Sequence, residues 1–280
     1  MIKHYLSVLK IFPTLLLTLM GLAAYVIAGR GEIGLKWWLV VLAVGIAAAG
    51  ANGITNYLDG NLDATMPRTR RRALASGKIF PPERALPMIL GLIVAGLVLA
   101  WWLHPLVAVA DAAGTLMAVL WRKKATCVFP QGAIASWAPL LMGWFAWRPT
   151  VDWVIGFLCL LITLWLPLHV WSVIIAHREE YLAAGLTFFP IKAEVKDSVK
   201  LLLAFAVGLF VVGVALYFVG DFSSVYLVAA AGAGSMMLWA SLRLVLKEDK
   251  AEAWKLYKLS SFPFLALLMM GMVLDLWLMG

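Results

Sequence analysis

Nine long apolar segments run through this sequence, and they restrict the fold more than any other feature does. A helix needs about 20 apolar residues to cross the roughly 30 Å hydrocarbon core of a bilayer. By this measure the spans lie at approximately 11–29, 37–57, 85–103, 105–121, 130–147, 151–175, 201–219, 222–242 and 260–279. Charged residues make up only 14% of the chain, against about 25% in soluble domains. We therefore expect an all-α integral membrane protein with nine transmembrane helices, forming a single domain over residues 1–280.

The positions of the basic residues predict the orientation of these spans. If the N-terminus is cytoplasmic, 20 of the 23 Lys and Arg residues lie in cytoplasmic segments, and only Arg30, Lys36 and Arg148 lie on the other side. Such a skew follows the positive-inside rule. The net charge of +8 thus reflects membrane topology, and no nucleic-acid partner is expected. We predict a multi-pass protein of the cell membrane whose polar loops, and any active site among them, face the cytoplasm.

The segment "NYLDGNLDATMPRTRRRALASGKI", residues 56–79, interrupts the apolar pattern. Asp59 and Asp63 are four residues apart and share one helical face, with Asn56 one turn earlier. Two like charges at this spacing repel each other unless a cation lies between them. Mg²⁺ is typically held by one or two carboxylates together with substrate phosphates, and Arg68, Arg71 and Arg72 are suited to the remaining phosphate charge. Alternatively, the aspartates mark the end of a membrane helix and the arginines only anchor it.

A second polar segment is "HVWSVIIAHREEYLAAGLTFFP", residues 169–190. Glu179 and Glu180 form an adjacent acidic pair, which is either a second metal site or a pair of solvated loop charges. His169 lies within an apolar run, where polar groups usually face the interior of the bundle. It is either a contact or general base for an acceptor molecule, or a buried hydrogen bond between helices. Asp111, inside another span, is best explained by helix packing.

The first segment resembles the aspartate-rich motif of the UbiA superfamily of intramembrane prenyltransferases, and within it the haem-directed branch, the haem o synthases. The matching residues are Asn56, Asp59, Asp63, Met66, Arg68, Thr69, Arg72 and Leu74. The second segment is similar to the His-x-Trp region of the same branch through His169, Trp171, Glu179, Glu180, Tyr181, Ala184, Gly185 and Pro190. A weaker match is the basic loop with Arg122, Lys123 and Lys124.

The resemblance implies nine helices around a central cavity, with two acidic motifs that bind Mg²⁺ and the diphosphate of farnesyl diphosphate. It implies transfer of the farnesyl group to haem b, forming haem o, and contact with a haem-processing partner enzyme. The implied catalytic residues are Asp59, Asp63, Glu179, Glu180 and His169, and the first four of these are the metal ligands. The implied substrate-binding residues are Asn56, Arg68, Arg72, Arg122, Lys123, Lys124, Trp171 and Tyr181.

Two other functions agree with the same residues. One is prenyl transfer to another hydrophobic acceptor, such as a quinone, a chlorophyll precursor or a glycerol lipid. The other, of a different class, is transport of an anionic lipid-like substrate, since paired acids within membrane proteins also mark transport pathways.

Overall fold

The computed structural model describes residues 2–120 and 128–279, and in these ranges the chain forms helices joined by turns, without a strand. In chain order the helices are α1 (Ile2–Val8), α2 (Ile11–Ala28), α3 (Trp37–Leu58), α4 (Gly60–Thr65), α5 (Leu86–Leu103), α6 (Pro105–Leu120), α7 (Ala133–Trp147), α8 (Trp153–Ala176), α9 (Arg178–Ala183), α10 (Val195–Val219), α11 (Ser224–Lys247), α12 (Lys250–Ser260) and α13 (Phe262–Met279). The predicted all-α class is confirmed.

Seven helical stretches in the described residues are long and apolar enough to cross a membrane. They are Ile11–Ala28, Trp37–Leu58, Pro82–Leu103, Trp153–Ala176, Val195–Val219, Ser224–Lys247 and Lys250–Met279, and Pro105–Leu120 is a shorter apolar helix. The protein is thus a multi-pass membrane protein. The count of nine spans and the cytoplasmic N-terminus stay predictions.

The helix boundaries follow local chemistry. His104 is extended (φ −171°, ψ 145°) and α6 begins at Pro105, because the residue before a proline is pushed out of the helical region. The N-cap residues Asp152, Ser223 and Asp249 accept a backbone N–H at the start of α8, α11 and α12. The segment 243–259, which lies between the predicted spans 222–242 and 260–279, continues α11 to Lys247 and then forms the separate helix α12.

The chain divides into two compact units, and the expectation of a single domain stays a prediction. The first unit comprises Met1–Tyr25 and Ile33–Pro149. Its α3 packs on α5 and its α6 on α7. A side chain at Gly96 would place its Cβ 3.0 Å from the Cα of Ala47, so small residues let α3 and α5 approach closely. This packing positions the end of α3, which carries the first acidic segment.

The second unit comprises Val26–Glu32 and Thr150–Gly280. In it α8 packs against α10 and α12, and α11 packs against α10 and α13. The buried carboxylate of Asp275 accepts hydrogen bonds from the N–H groups of Ser223 and Tyr226 and thereby caps α11 from another helix. The second acidic segment, residues 169–190, begins within α8 and continues through α9.

Candidate active site

The first acidic segment lies at the junction of α3 and α4. Asp59 is the residue between the two helices, and the N–H of Asp63 donates to the carbonyl of Asp59 at 2.8 Å. This is the i to i+4 hydrogen bond of an α-helix, so the expected helical spacing of the two carboxylates is retained. Asp59 is 8% exposed and Asp63 is fully buried. Removing two carboxylates from water in this way requires compensating positive charge.

Arg72 supplies part of that charge. Its Nη1 lies 2.7 Å from Oδ2 of Asp63. The hydroxyl of Thr69 donates to the backbone carbonyl of Asp63 at 3.0 Å. The arginine-rich stretch therefore folds back onto the carboxylates nine residues earlier in the chain. A charged donor facing a carboxylate in a site of low exposure makes a strong hydrogen bond.

The four arginines of this segment differ in exposure. Arg68 and Arg72 are half-buried, whereas Arg70 and Arg71 are exposed to solvent. Only the first two matched the family motif. Burial thus divides the arginines in the same way as the sequence pattern does.

Asn56 is 2% exposed, and the two polar atoms of its side chain are in different situations. Its Nδ2 donates to the backbone carbonyl of Val8 at 3.0 Å, which ties the end of α1 to α3. Its Oδ1 is buried and finds no hydrogen-bond partner within the described part of the chain. A buried, unsatisfied acceptor costs free energy unless a donor or cation reaches it. This oxygen lies one helical turn before Asp59.

The acidic pair of the second segment, Glu179 and Glu180, lies on α9, directly after α8. Oε1 of Glu179 pairs with Nζ of Lys250 at 2.8 Å, and both side chains are mostly exposed. Because the Lys250 ammonium donates to this carboxylate, the pKa of Glu179 is lowered from its usual value. Oε1 of Glu180 lies 3.0 Å from Nδ1 of His177, the residue at the junction of α8 and α9.

Helix α12 runs antiparallel to the end of α8. Going along α8 toward α9, the contacts join Trp165 to Ser260, His169 to Tyr257, His177 to Trp254 and Glu179 to Lys250. The partners on α12 occur in reverse order, so the first residue of α12 lies against the acidic pair. Within α12 the rings of Trp254 and Tyr257 also stack, with centroids 4.9 Å apart.

His169 is enclosed by aromatic and hydroxyl groups. Its ring stacks on Trp165 with centroids 4.8 Å apart, and Tyr257 covers it at the same distance. Its Nδ1 lies 3.2 Å from the hydroxyl oxygen of Ser260 and 3.4 Å from that of Ser261. Both hydroxyls donate to the carbonyl of Tyr257, at 2.9 and 2.7 Å. Their oxygens are therefore left to accept, which favours the neutral tautomer with its proton on Nδ1 and a lone pair on Nε2.

In the part of the chain that the structure describes, no group of three or more His, Cys, Asp or Glu side chains could hold a metal ion. The two acidic segments each contain only two carboxylates. This composition agrees with a cation shared between one or two carboxylates and a phosphate ligand, as is typical of Mg²⁺. It does not resemble a closed structural metal site.

A family model described as "UbiA prenyltransferase family" matches residues 14–268. The chain belongs to the UbiA prenyltransferase family. The sequence resemblance is thereby confirmed, and the protein is a membrane-embedded prenyltransferase. The match extends from α2 into α13 and includes both acidic segments. Family membership favours the enzyme over the transporter hypothesis.

Relatives in sequence and in structure agree with this assignment. A protoheme IX farnesyltransferase of Desulforudis audaxviator (strain MP104C) is 37% identical over 99% of this chain and 89% of that protein. A solved structure from work on digeranylgeranylglyceryl phosphate synthase in membranes has a TM-score of 0.77, 21% identity and 98% coverage of both chains. A UbiA homologue from Archaeoglobus fulgidus bound to GPP and Mg²⁺ has a TM-score of 0.67 and 12% identity, covering 96% of this chain and 99% of that one.

Two further residues expected in the UbiA site are in aromatic surroundings. Trp171 contacts the rings of Phe189 and Phe205 edge-on, and its buried Nε1 has no hydrogen-bond partner among residues 2–120 and 128–279. Tyr181 is 4% exposed and lies edge-on to Phe188. The expected substrate contacts of both residues stay predictions. The predicted basic residues Arg122, Lys123 and Lys124 lie outside the described residues.

Helix α12 is the part of this UbiA protein that sequence reasoning missed. Each of four residues on α12 contacts a residue of the second acidic segment: Lys250, Trp254, Tyr257 and Ser260. The spans predicted from the sequence leave the first three between 222–242 and 260–279, with no role. Lysines between aromatic and apolar residues in "KAEAWKLYKLS" are typical of an amphipathic helix. This pattern would have predicted the helix α12 from the sequence.

Proposed function

We propose that this UbiA enzyme transfers a farnesyl group from farnesyl diphosphate to haem b and forms haem o, with Mg²⁺ as its metal. The observation that supports this acceptor is the 37% identity to a protoheme IX farnesyltransferase over almost the whole chain. The His169-x-Trp171 pattern and the adjacent glutamates, Glu179 and Glu180, point to the same branch.

The residues of the first segment fit a Mg²⁺ ion. Asn56 presents a buried oxygen without a hydrogen-bond partner in the described ranges, one turn before Asp59. Asp59 and Asp63 add carboxylate oxygens on the same helical stripe. All of these are hard oxygen ligands, which Mg²⁺ prefers. In this proposal Asp59, Asp63 and Asn56 are metal ligands of the first acidic segment, and Glu179 and Glu180 are metal ligands of the second.

When bound, Mg²⁺ stabilises negative charge on the diphosphate as the allylic carbon–oxygen bond breaks. Arg68 and Arg72 add hydrogen bonds to the same leaving group, and these strengthen as its charge develops. Arg72 already contacts Asp63, so it is positioned at the carboxylates before substrate arrives. Apolar side chains around the isoprenoid tail exclude water from the resulting carbocation.

The acceptor reacts at a vinyl group of haem b. A carbon–carbon bond forms between the farnesyl C1 and the outer vinyl carbon, and water adds to the inner carbon with loss of a proton. The product carries a hydroxyethylfarnesyl group, and diphosphate is released. His169 presents the Nε2 lone pair, which in this proposal contacts the acceptor or takes up the proton. The reaction takes place on the cytoplasmic side of the cell membrane.

Incubation of membranes containing the protein with labelled farnesyl diphosphate and haem b tests this proposal. Mass analysis of the extracted haems is expected to show the label in a species heavier than haem b by one farnesyl group and one hydroxyl group, only when Mg²⁺ is present. Label in a quinone or a glycerol lipid, with unmodified haem, contradicts the haem assignment but retains prenyl transfer. Membranes that carry Asp59→Asn provide the control for other prenyltransferases.

A further inference from the structure

Lys250 lies outside both acidic segments, but it forms an ion pair with Glu179 of the second one. Nζ of Lys250 is 2.8 Å from Oε1 of Glu179, and the side chains are 62% and 77% exposed. An ion pair this exposed contributes little to stability, because water solvates both partners almost as well. Its position at the acidic motif therefore calls for an explanation other than holding the fold together.

The position of Lys250 is set by the rest of α12. Trp165 Nε1 donates to the carbonyl of Ser260 at 2.5 Å, and the rings of His177 and Trp254 lie edge-on at 5.3 Å. These contacts hold α12 along α8 and bring its first residue to α9. The carboxylate of Asp249, which accepts the N–H of Glu252 at 2.7 Å, fixes where the helix begins. The backbone of Lys250 is therefore fixed, and its flexible four-carbon side chain can move the ammonium group from one partner to another.

We propose that Lys250 is a diphosphate-binding residue that exchanges partners: it pairs with Glu179 before the metal binds and with a phosphate oxygen afterwards. This inference rests on the proposed function, since it takes Glu179 as a ligand of the metal–diphosphate complex. A divalent cation on Oε1 of Glu179 displaces the ammonium group, because two cations cannot share one carboxylate oxygen without repulsion. The displaced Nζ, with three donors, then lies next to the phosphate oxygens that the same metal binds.

The exchange keeps the charge at Glu179 compensated in both states. Without metal, the glutamate has the lysine as its counter-ion. With metal and diphosphate bound, the lysine neutralises the charge that the substrate brings. Lys250 thus opposes metal binding in the absence of diphosphate and favours diphosphate binding in the presence of metal. A lysine that only forms a surface ion pair has the first effect without the second.

The opposite effects of Lys250 on metal binding and on diphosphate binding can be measured separately. The full chain is purified in nanodiscs, and calorimetry measures two dissociation constants: that of Mg²⁺ without substrate, and that of the unreactive farnesyl S-thiolodiphosphate at saturating Mg²⁺. We expect Lys250→Ala to tighten Mg²⁺ binding several-fold and to weaken binding of the thiolodiphosphate by about tenfold, the effect of losing one hydrogen bond between charged groups. Lys250→Arg is expected to restore most of the thiolodiphosphate affinity.

Lys247→Ala is the matched control. Nζ of Lys247, at the end of α11, pairs with Oε1 of Glu252 at 3.1 Å and not with the acidic motif. We expect both dissociation constants to remain those of the wild type. Thermal unfolding of each variant separates a binding effect from misfolding, and Lys250→Gln serves if the alanine variant is unstable.

The outcomes distinguish this inference from the proposed function. If the wild type does not bind the thiolodiphosphate in the presence of Mg²⁺, the proposed function fails and the inference fails with it. If the wild type binds it and Lys250→Ala binds it equally well, only the partner exchange is wrong. Weaker binding of both ligands by Lys250→Ala also contradicts the exchange, because it indicates a structural role.

Discussion

Nη1 of Arg72 lies 2.7 Å from Oδ2 of Asp63, and the two residues are nine positions apart. The arginine thus compensates a fully buried carboxylate within the segment that also carries the other candidate ligands, Asn56 and Asp59. In the second acidic segment Glu179 has its own basic partner, Lys250. Each acidic segment therefore contains a carboxylate that is already paired with a cation of the protein.

The two aspartates are expected to respond differently to substitution. Asp59→Asn should reduce prenyl transfer by about a hundredfold, as expected when a group that stabilises transition-state charge is lost, with little change in thermal unfolding. Asp63→Asn should also destabilise the protein by about 1–2 kcal/mol, less than for a fully buried pair because Arg72 is partly exposed. Turnover and unfolding in detergent measure both effects. Wild-type turnover in either variant contradicts the site.

Removal of divalent cations tests the metal directly. Treatment with EDTA should abolish transfer, and Mg²⁺ should restore it, since Asn56, Asp59 and Asp63 offer only oxygen ligands. Mn²⁺, which has a paramagnetic signal, should bind to the wild type in the presence of diphosphate and bind at least tenfold more weakly to Asp59→Asn. Equal binding of Mn²⁺ to both proteins places the metal elsewhere.

The half-buried arginines should matter more than the exposed ones. Arg68→Ala and Arg72→Ala are expected to raise the KM for farnesyl diphosphate about tenfold each, the cost of one hydrogen bond to a charged group. Arg70→Ala is the matched control, because it removes the same charge from the same segment at an exposed position, and its KM should remain close to the wild-type value. Small and equal effects at all three positions indicate that the arginines only anchor the helix.

Glu180 should contribute to bond breaking whichever acceptor follows. Glu180→Gln removes a carboxylate charge that lies 3.0 Å from His177 Nδ1. Because this carboxylate is a proposed metal ligand, transfer to haem and solvolysis of farnesyl diphosphate should both decrease. Glu194→Gln removes a charge of the same sign from the N-cap of α10 and should leave both rates unchanged. A decrease confined to transfer, with normal solvolysis, assigns Glu180 to the acceptor instead.

His169 should affect the second substrate only. His169→Ala is expected to leave binding of the thiolodiphosphate unchanged and to impair transfer to haem. Ser260→Ala removes a hydroxyl that Nδ1 contacts, but Ser261 lies 3.4 Å from the same atom, so its effect should be smaller. The Soret band reports haem binding separately from turnover. If His169→Ala binds and converts haem like the wild type, the histidine only joins helices and the haem assignment loses support.

Most of the helical architecture could be predicted from the sequence, for a direct physical reason. Segments such as 37–57 and 151–175 need to satisfy their backbone groups internally in a bilayer, so composition alone specifies helices there. The break at Pro105 and the helical spacing of Asp59 and Asp63 are equally local, since each depends on a few neighbouring residues. The division of the four arginines also followed the sequence pattern.

Tertiary structure decided which side chains meet. Lys250 and Glu179 are 71 positions apart, and Ser260 and His169 are 91 positions apart. No periodicity links such residues, because their contacts arise only when α12 packs antiparallel to α8. Likewise, Nδ2 of Asn56 donates to the carbonyl of Val8 only because α1 ends beside α3. The same side chain has a buried Oδ1 without a hydrogen-bond partner in the described chain. The sequence by itself determined the helices and the chemical types at the two acidic segments, whereas the packing of distant helices determined the partner of each charge.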